Sequence, residues 1–147
     1  MIFIGSDHKG FQLKKKIIQW LVEQGYEHED VGAFELDPND DYPIYAKKVA
    51  ESMVDVDDRG ILVCGSGVGV DDVANKFDGI RSGLAINKEQ IYSARNDDNI
   101  NVLALASDFT SEDEAKEIVK VFLETEFGDE ERYNRRLKEI GEIEDVN

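Results

Sequence analysis

Short apolar runs alternate with amphipathic helical stripes along all 147 residues, and that alternation leaves few folds open to this chain. MIFIG, residues 1–5, reads as a buried strand. Leu13, Ile17, Trp20 and Leu21 then recur at helical spacing, and Gly25 stands where that helix should stop. HEDVG (28–32) reads as a weak second strand. The polar loop LDPNDD leads into YPIYAKKVAESMV, a second helix. GILVC (60–64) is a strong third strand, followed by a helix in VGVDDVANK. IRSGLAI (80–86) and KEQIYSARN repeat the pair, and NVLALA (101–106) is a fifth strand. Ala115, Ile118, Val119 and Phe122 mark the next helical stripe. A last helix is expected over 130–140, with GEIEDVN as a frayed tail. Near-continuous apolar strands joined through helices indicate a parallel sheet covered on both faces. The expectation is one three-layer α/β domain over 1–147, with a five-stranded parallel sheet and a C-terminal helix.

Composition narrows the partners. Seventeen basic residues against 33 acidic ones give a formal charge of −16, which argues against nucleic acid and anionic membranes. No apolar run approaches the roughly 20 residues needed to cross a bilayer. The N-terminus lacks a basic leader before an apolar segment, so a cytoplasmic location is expected. A single cysteine excludes an intramolecular disulfide. An anionic ligand would meet a repulsive global field and need a local basic cluster. One compact cluster exists, Arg132, Arg135, Arg136 and Lys138.

Ligands of open parallel sheets bind beyond the carboxyl ends of the strands. Three loops are therefore candidates: GSDHKG after the first strand, CGSGVG after the third, and ARNDDNIN before the fifth. Cys64 closes the third strand, and Gly65, Gly67 and Gly69 open the helix that follows. That geometry exposes backbone N–H groups at a positive helix end, where an oxyanion is stabilised and a thiolate is favoured. Cys64 is thus a candidate base or nucleophile. The alternative is a small buried cysteine beside a tight turn. The glycine spacing fits neither a P-loop nor a dinucleotide fingerprint. Asp7 and His8 can orient hydroxyls and handle a proton, while Ser6 or Asp7 can equally cap the first helix. His28 has no polar constellation and reads as a surface or strand residue.

Taken together, GSDHKGFQLK, DYPIYAKKVAE, CGSGVG with ANK and GIR, and RYNRR resemble the ribose-5-phosphate isomerase B family, which includes galactose-6-phosphate isomerase subunits. The resemblance runs nearly the whole length. It implies a Rossmann-like fold, a homodimer or dimer of dimers, and aldose–ketose isomerisation of a sugar phosphate without metal or cofactor. It implies that Cys64 shuttles a proton between C1 and C2, with Ser66 near C1. Gly65, Gly67, Val68 and Gly69 would hold the enediolate oxygen. Asp7 and His8 would bind hydroxyls, Tyr42 would line the pocket, and Arg132 and Arg136 would grip the phosphate. Ribose 5-phosphate is the first expectation for the substrate, with a hexose 6-phosphate or a non-catalytic sugar-phosphate-binding subunit as alternatives.

The chain departs from the family pattern at four places. The family's HNxxN, on a loop expected to reach the neighbouring subunit, reads Asp97-Asp98-Asn99-Ile100-Asn101 here. Ring opening then falls to Asp97, and Asp98 takes the place of an enediolate-binding asparagine. The family's arginine after the fifth strand falls at Asp108, and Tyr133 replaces the histidine of RHxxR.

Overall fold

The computed structural model describes residues 1–147. Its elements run β1 (Ile2–Ser6), α1 (Phe11–Gln24), β2 (His28–Asp30), α2 (Tyr42–Ser52), β3 (Arg59–Cys64), α3 (Val68–Ala74), β4 (Ser82–Leu84), α4 (Lys88–Asp98), β5 (Val102–Ala106), α5 (Glu112–Glu124) and α6 (Glu131–Glu144). The five strands are all parallel, in the order β2-β1-β3-β5-β4. No helix is long and apolar enough to cross a membrane.

Side chains alternate across each strand, so β1, β3 and β5 each feed two cores. Ile61, Val63, Leu103 and Leu105 pack with Ile17, Leu21, Ile118 and Phe122 of α1 and α5. Leu62, Cys64, Val102 and Ala104 face Ala46, Val49, Val70 and Ala74 of α2 and α3. The two helical layers therefore cover the two faces, as the apolar runs require. Gly25 ends α1 at φ 77, the left-handed conformation that glycine adopts without strain. Ser111 caps α5, accepting from the Glu114 amide at 3.2 Å while its hydroxyl donates to the Glu114 carboxylate at 2.8 Å.

Three boundaries differ from the sequence reading. β2 spans three residues, because only Ile2, Phe3 and Ile4 pair with it. β4 is also three residues, shorter than IRSGLAI: Arg81 belongs to the turn before it, donating its amide to Asn101 Oδ1 at 2.8 Å. The tail is helical as far as Glu144, whose carboxylate accepts from the Gly79 amide at 3.0 Å. Lys14 lies buried on the inner side of α1, an unexpected place for a charge. Its ammonium donates to Asp30 Oδ1 at 2.7 Å and to the Ala33 carbonyl, which offsets the desolvation. His28 opens β2, hydrogen-bonded through Nδ1 to the Tyr26 carbonyl.

Candidate active site

From β1 the chain moves outward to β2, and after α2 it crosses back to β3 on the other side. The loops after β1 and β3 therefore part at their carboxyl ends and leave a crevice. It holds a hollow of about 610 Å³ lined by Asp7, Tyr42, Cys64, Gly65, Ser66, Val68, Gly69, Asp71, Asp72 and Asn75. Two glycines make the close fit possible. A Cβ on Gly10 would overlap the Val63 carbonyl, so the first loop lies directly on β3. A Cβ on Gly69 would sit 2.6 Å from Cζ of Tyr42, whose ring lies over the glycine turn.

Cys64 ends β3 with only 4% of its surface exposed. It contacts the apolar cluster behind the sheet and also lines the hollow. Gly67 is the N-cap of α3 at φ 74, and this left-handed turn swings the chain from strand to helix. The Ser66 and Gly67 amides donate to no protein acceptor, while Val68 N–H donates to Ser66 Oγ at 3.3 Å. Unpartnered N–H groups beside a thiol are what an oxyanion formed there requires.

Asp7 is 5% exposed, and its Oδ1 accepts from the Gly10 amide at 3.0 Å. The bond closes a turn ahead of α1; it is not a helix cap, since the N-cap is Gly10 itself. Burial raises the Asp7 pKa above the ordinary carboxylate value, against the lowering effect of the Gly10 bond. Asp71 is also raised, chiefly by desolvation, and its Oδ1 accepts from Ser82 Oγ at 2.7 Å. The hollow thus carries three carboxylates, Asp7, Asp71 and Asp72, and no lysine or arginine.

His8 is held by a residue that sequence reasoning passed over. Its Nδ1 lies 2.7 Å from Asp40 Oδ1, which also accepts the His8 amide at 2.9 Å. The Asp40 side chain is 5% exposed, and its Oδ2 is buried without a hydrogen-bond partner. With Nδ1–H donating to the carboxylate, Nε2 is left as the free acceptor of the imidazole. Asp7, His8 and Asp40 present ligand atoms within 4.8 Å of one another, the one such cluster in the chain. Asp40 belongs to LDPNDD, which reads as a plain polar loop. Nothing local in that loop marks one acid from the next.

The remaining expected residues lie elsewhere. A loop preceding a strand of a parallel sheet sits at the amino edge, so Asp97 and Asp98 are across the sheet from Cys64. A five-residue strand separates the two edges by about 17 Å. Asp98 lines a different, mostly apolar cavity of about 520 Å³, with Ile91, Ile100, Ile140 and Ile143. Asp97 is half-buried and accepts from Asn96 Nδ2 at 2.8 Å. Arg132 and Arg136 are exposed on α6. Arg132 pairs with Glu130 at 3.5 Å and stacks on Tyr133 at 5.2 Å, within the field of Asp97. Within one chain, then, Asp97, Asp98, Arg132 and Arg136 do not join the hollow, and ARNDDNIN lies at the opposite edge from the other two candidate loops.

This second group is rigidly built. Arg95 is 3% exposed and donates to Asn99 Oδ1 at 2.9 Å, to the Ile100 carbonyl, and to the Thr125 carbonyl at 3.2 Å. Its ring-stacked guanidinium lies 5.9 Å from the centre of Phe122. Burial pulls its pKa down to about 10. The Gly128 amide donates to the Asn96 carbonyl at 2.9 Å, so the end of α4 and the approach to α6 are fastened together.

The geometry has known counterparts. The family model described as Ribose/Galactose Isomerase matches residues 2–140. A Mycoplasma pneumoniae protein named "Probable ribose-5-phosphate isomerase B" is 41% identical over 143 residues, covering 97% of this chain and 91% of its own. The crystal structure of ribose-5-phosphate isomerase B from Mycoplasma genitalium with bound ribulose 5-phosphate superposes with a TM-score of 0.90 at 39% identity. It covers 99% of this chain and 97% of that one. The Thermotoga maritima ribose 5-phosphate isomerase gives a TM-score of 0.91 at 39% identity, covering 96% and 97%. A lone thiol at the end of the third strand, a glycine turn of free amides and a match across nearly every residue lead to one assignment: the chain belongs to the ribose/galactose isomerase family.

Proposed function

We propose that the chain, acting as a single domain, interconverts ribose 5-phosphate and ribulose 5-phosphate through an enediolate. The observation that carries this reading is Cys64 at the wall of a hollow whose Ser66 and Gly67 amides are unpartnered. In the open-chain aldose, the Cys64 thiolate takes the proton from C2. The electron pair moves to the C1 carbonyl oxygen, and the Gly65–Gly69 amides receive the charge. Transfer of the hydroxyl proton from O2 to O1 and return of the sulfur-bound proton to C1 give the ketose. Ser66 stands beside C1, Asp7 and the His8–Asp40 pair hold hydroxyls, and Tyr42 closes the side.

The arginines that grip the phosphate, and the ring-opening group, come from a second copy. Arg132, Arg136, Asp97 and Asp98 are too far from Cys64 to serve the same chain's hollow, so a homodimer completes each site from two subunits. Arg132 and Arg136 lie one helical turn apart and can share a phosphate. The exposed Ile140 and Ile143 of α6 offer apolar surface for that association.

The test is turnover of ribose 5-phosphate together with loss of the C2 proton to solvent, in the natural protein and in Cys64→Ala. Turnover with exchange that disappears in the variant supports the reading. Equal rates in both remove Cys64 from the reaction. Calorimetric binding without any turnover would instead favour a sugar-phosphate-binding subunit, the reading to which the carboxylates at 97 and 98 lend weight.

A further inference from the structure

A hollow walled by Asp7, Asp71 and Asp72 repels a sugar phosphate, so a cation set beside it by the same chain would add to the grip of the second copy's arginines. The same chain offers one at Lys9. It follows His8 in the loop after β1, and its stem packs on Gly65, with Cγ and Cδ each 3.5 Å from where a Cβ on that glycine would stand. Asp108 Oδ2 lies 2.9 Å from the same point, and Lys9 Nζ is 3.7 Å from that oxygen. Three loop ends are bound together here. The Ser107 hydroxyl lies 2.9 Å from the Lys9 carbonyl and 3.1 Å from that of Cys64, and the Asp108 amide donates to Gly65 O at 3.0 Å. Beyond Lys9 opens a smaller cavity of about 330 Å³, which Lys16 also lines.

We infer that Lys9 is the chain's own phosphate ligand, with the sugar in the acidic hollow and the phosphate over Gly65 against the Lys9 ammonium. Asp108 competes for the same ammonium and so tunes affinity. Both side chains are about half exposed, at 56% and 49%, and an exposed pair of this kind is weakly held. The flexible lysine stem lets the ammonium exchange the carboxylate for a doubly charged phosphate.

This assignment deepens the isomerase reading and rests on it. The experiment compares the natural protein with Lys9→Met, Lys9→Arg and Asp108→Asn, by steady-state kinetics with ribose 5-phosphate and by calorimetry with inorganic phosphate. Lys9→Met is expected to raise KM and the phosphate Kd about tenfold, with kcat moving less than about threefold, and Lys9→Arg to restore most of the loss. Asp108→Asn is expected to lower both constants about threefold, since it frees the ammonium. Unchanged KM and phosphate affinity in Lys9→Met overturn the assignment, as does weaker binding in Asp108→Asn. If the natural protein does not turn over ribose 5-phosphate yet its phosphate binding falls in Lys9→Met, Lys9 stands and the isomerase reading does not.

Discussion

The two edges of the sheet make an instructive pair. At the carboxyl edge, Cys64 and Asp7 are buried and closely packed beside the glycine turn of the same chain. At the amino edge, half-buried Asp97 and exposed Arg132 and Arg136 stand on a well-fastened base, and the two arginines face solvent. One region has an acceptor for charge and no cation on its wall; the other has cations and no enclosure. On the proposed reading, the contrast divides base from arginine grip, and that division suits two copies exchanging halves.

The contrast can be broken most decisively at its buried member. Cys64→Ala is expected to lower kcat by about a thousandfold or more, the scale of losing a positioned base; a loss under tenfold would shift the base elsewhere. Next comes a test of the division itself. Dissociating and reannealing equal amounts of Cys64→Ala and Arg132→Ala subunits should restore about a quarter of natural activity. Half of the dimers are then mixed, and each mixed dimer carries one intact site. No recovery would place both residues in one chain's site.

The base of the exposed edge can be tested by stability. Arg95→Met should cost about 3 kcal/mol in denaturant unfolding, because the Ile100 and Thr125 carbonyls lose a charged donor. A shift near zero would mean that the clamp holds nothing. Asp97→His should raise kcat several-fold if a proton donor limits ring opening, since an imidazole exchanges protons near neutral pH. The smallest effect concerns Asp7. Its folded pKa is raised, chiefly by burial, so the folded state holds the proton longer than the unfolded one. Stability should therefore fall as pH rises from the ordinary carboxylate value through the raised one. Asp7→Asn keeps an acceptor for Gly10 and should flatten that slope in denaturant midpoints measured across the acid range.

Most of the fold was legible from residue order. Apolar runs such as ILVC and VLALA fill both faces of β3 and β5 because helices cover each side. The errors fell on short edges. β4 pairs with one neighbour through three residues, and the tail GEIEDVN taken by itself holds too few apolar residues to read as helix. Of the site, the Cys64 turn and Asp7 could be read because motif and strand end coincide. Asp40 could not, since its partnership with His8 spans 32 residues and depends on how the loop before α2 folds back. Nor does sequence proximity to a strand reveal which edge a loop occupies. That is a matter of strand direction, and within one chain it keeps ARNDDNIN apart from the other two loops.

The contacts of Gly10 with Val63 and of Gly69 with the Tyr42 ring carry one last consequence. Where even a methyl group has no room, the cavity is a mould, cast by main chain at Gly10 and by the Tyr42 ring at Gly69. Side-chain charges around it can be exchanged without changing its outline. A lineage with such a mould can drift between ligands by trading single acids and bases at its rim, keeping the reaction while altering what is admitted to it.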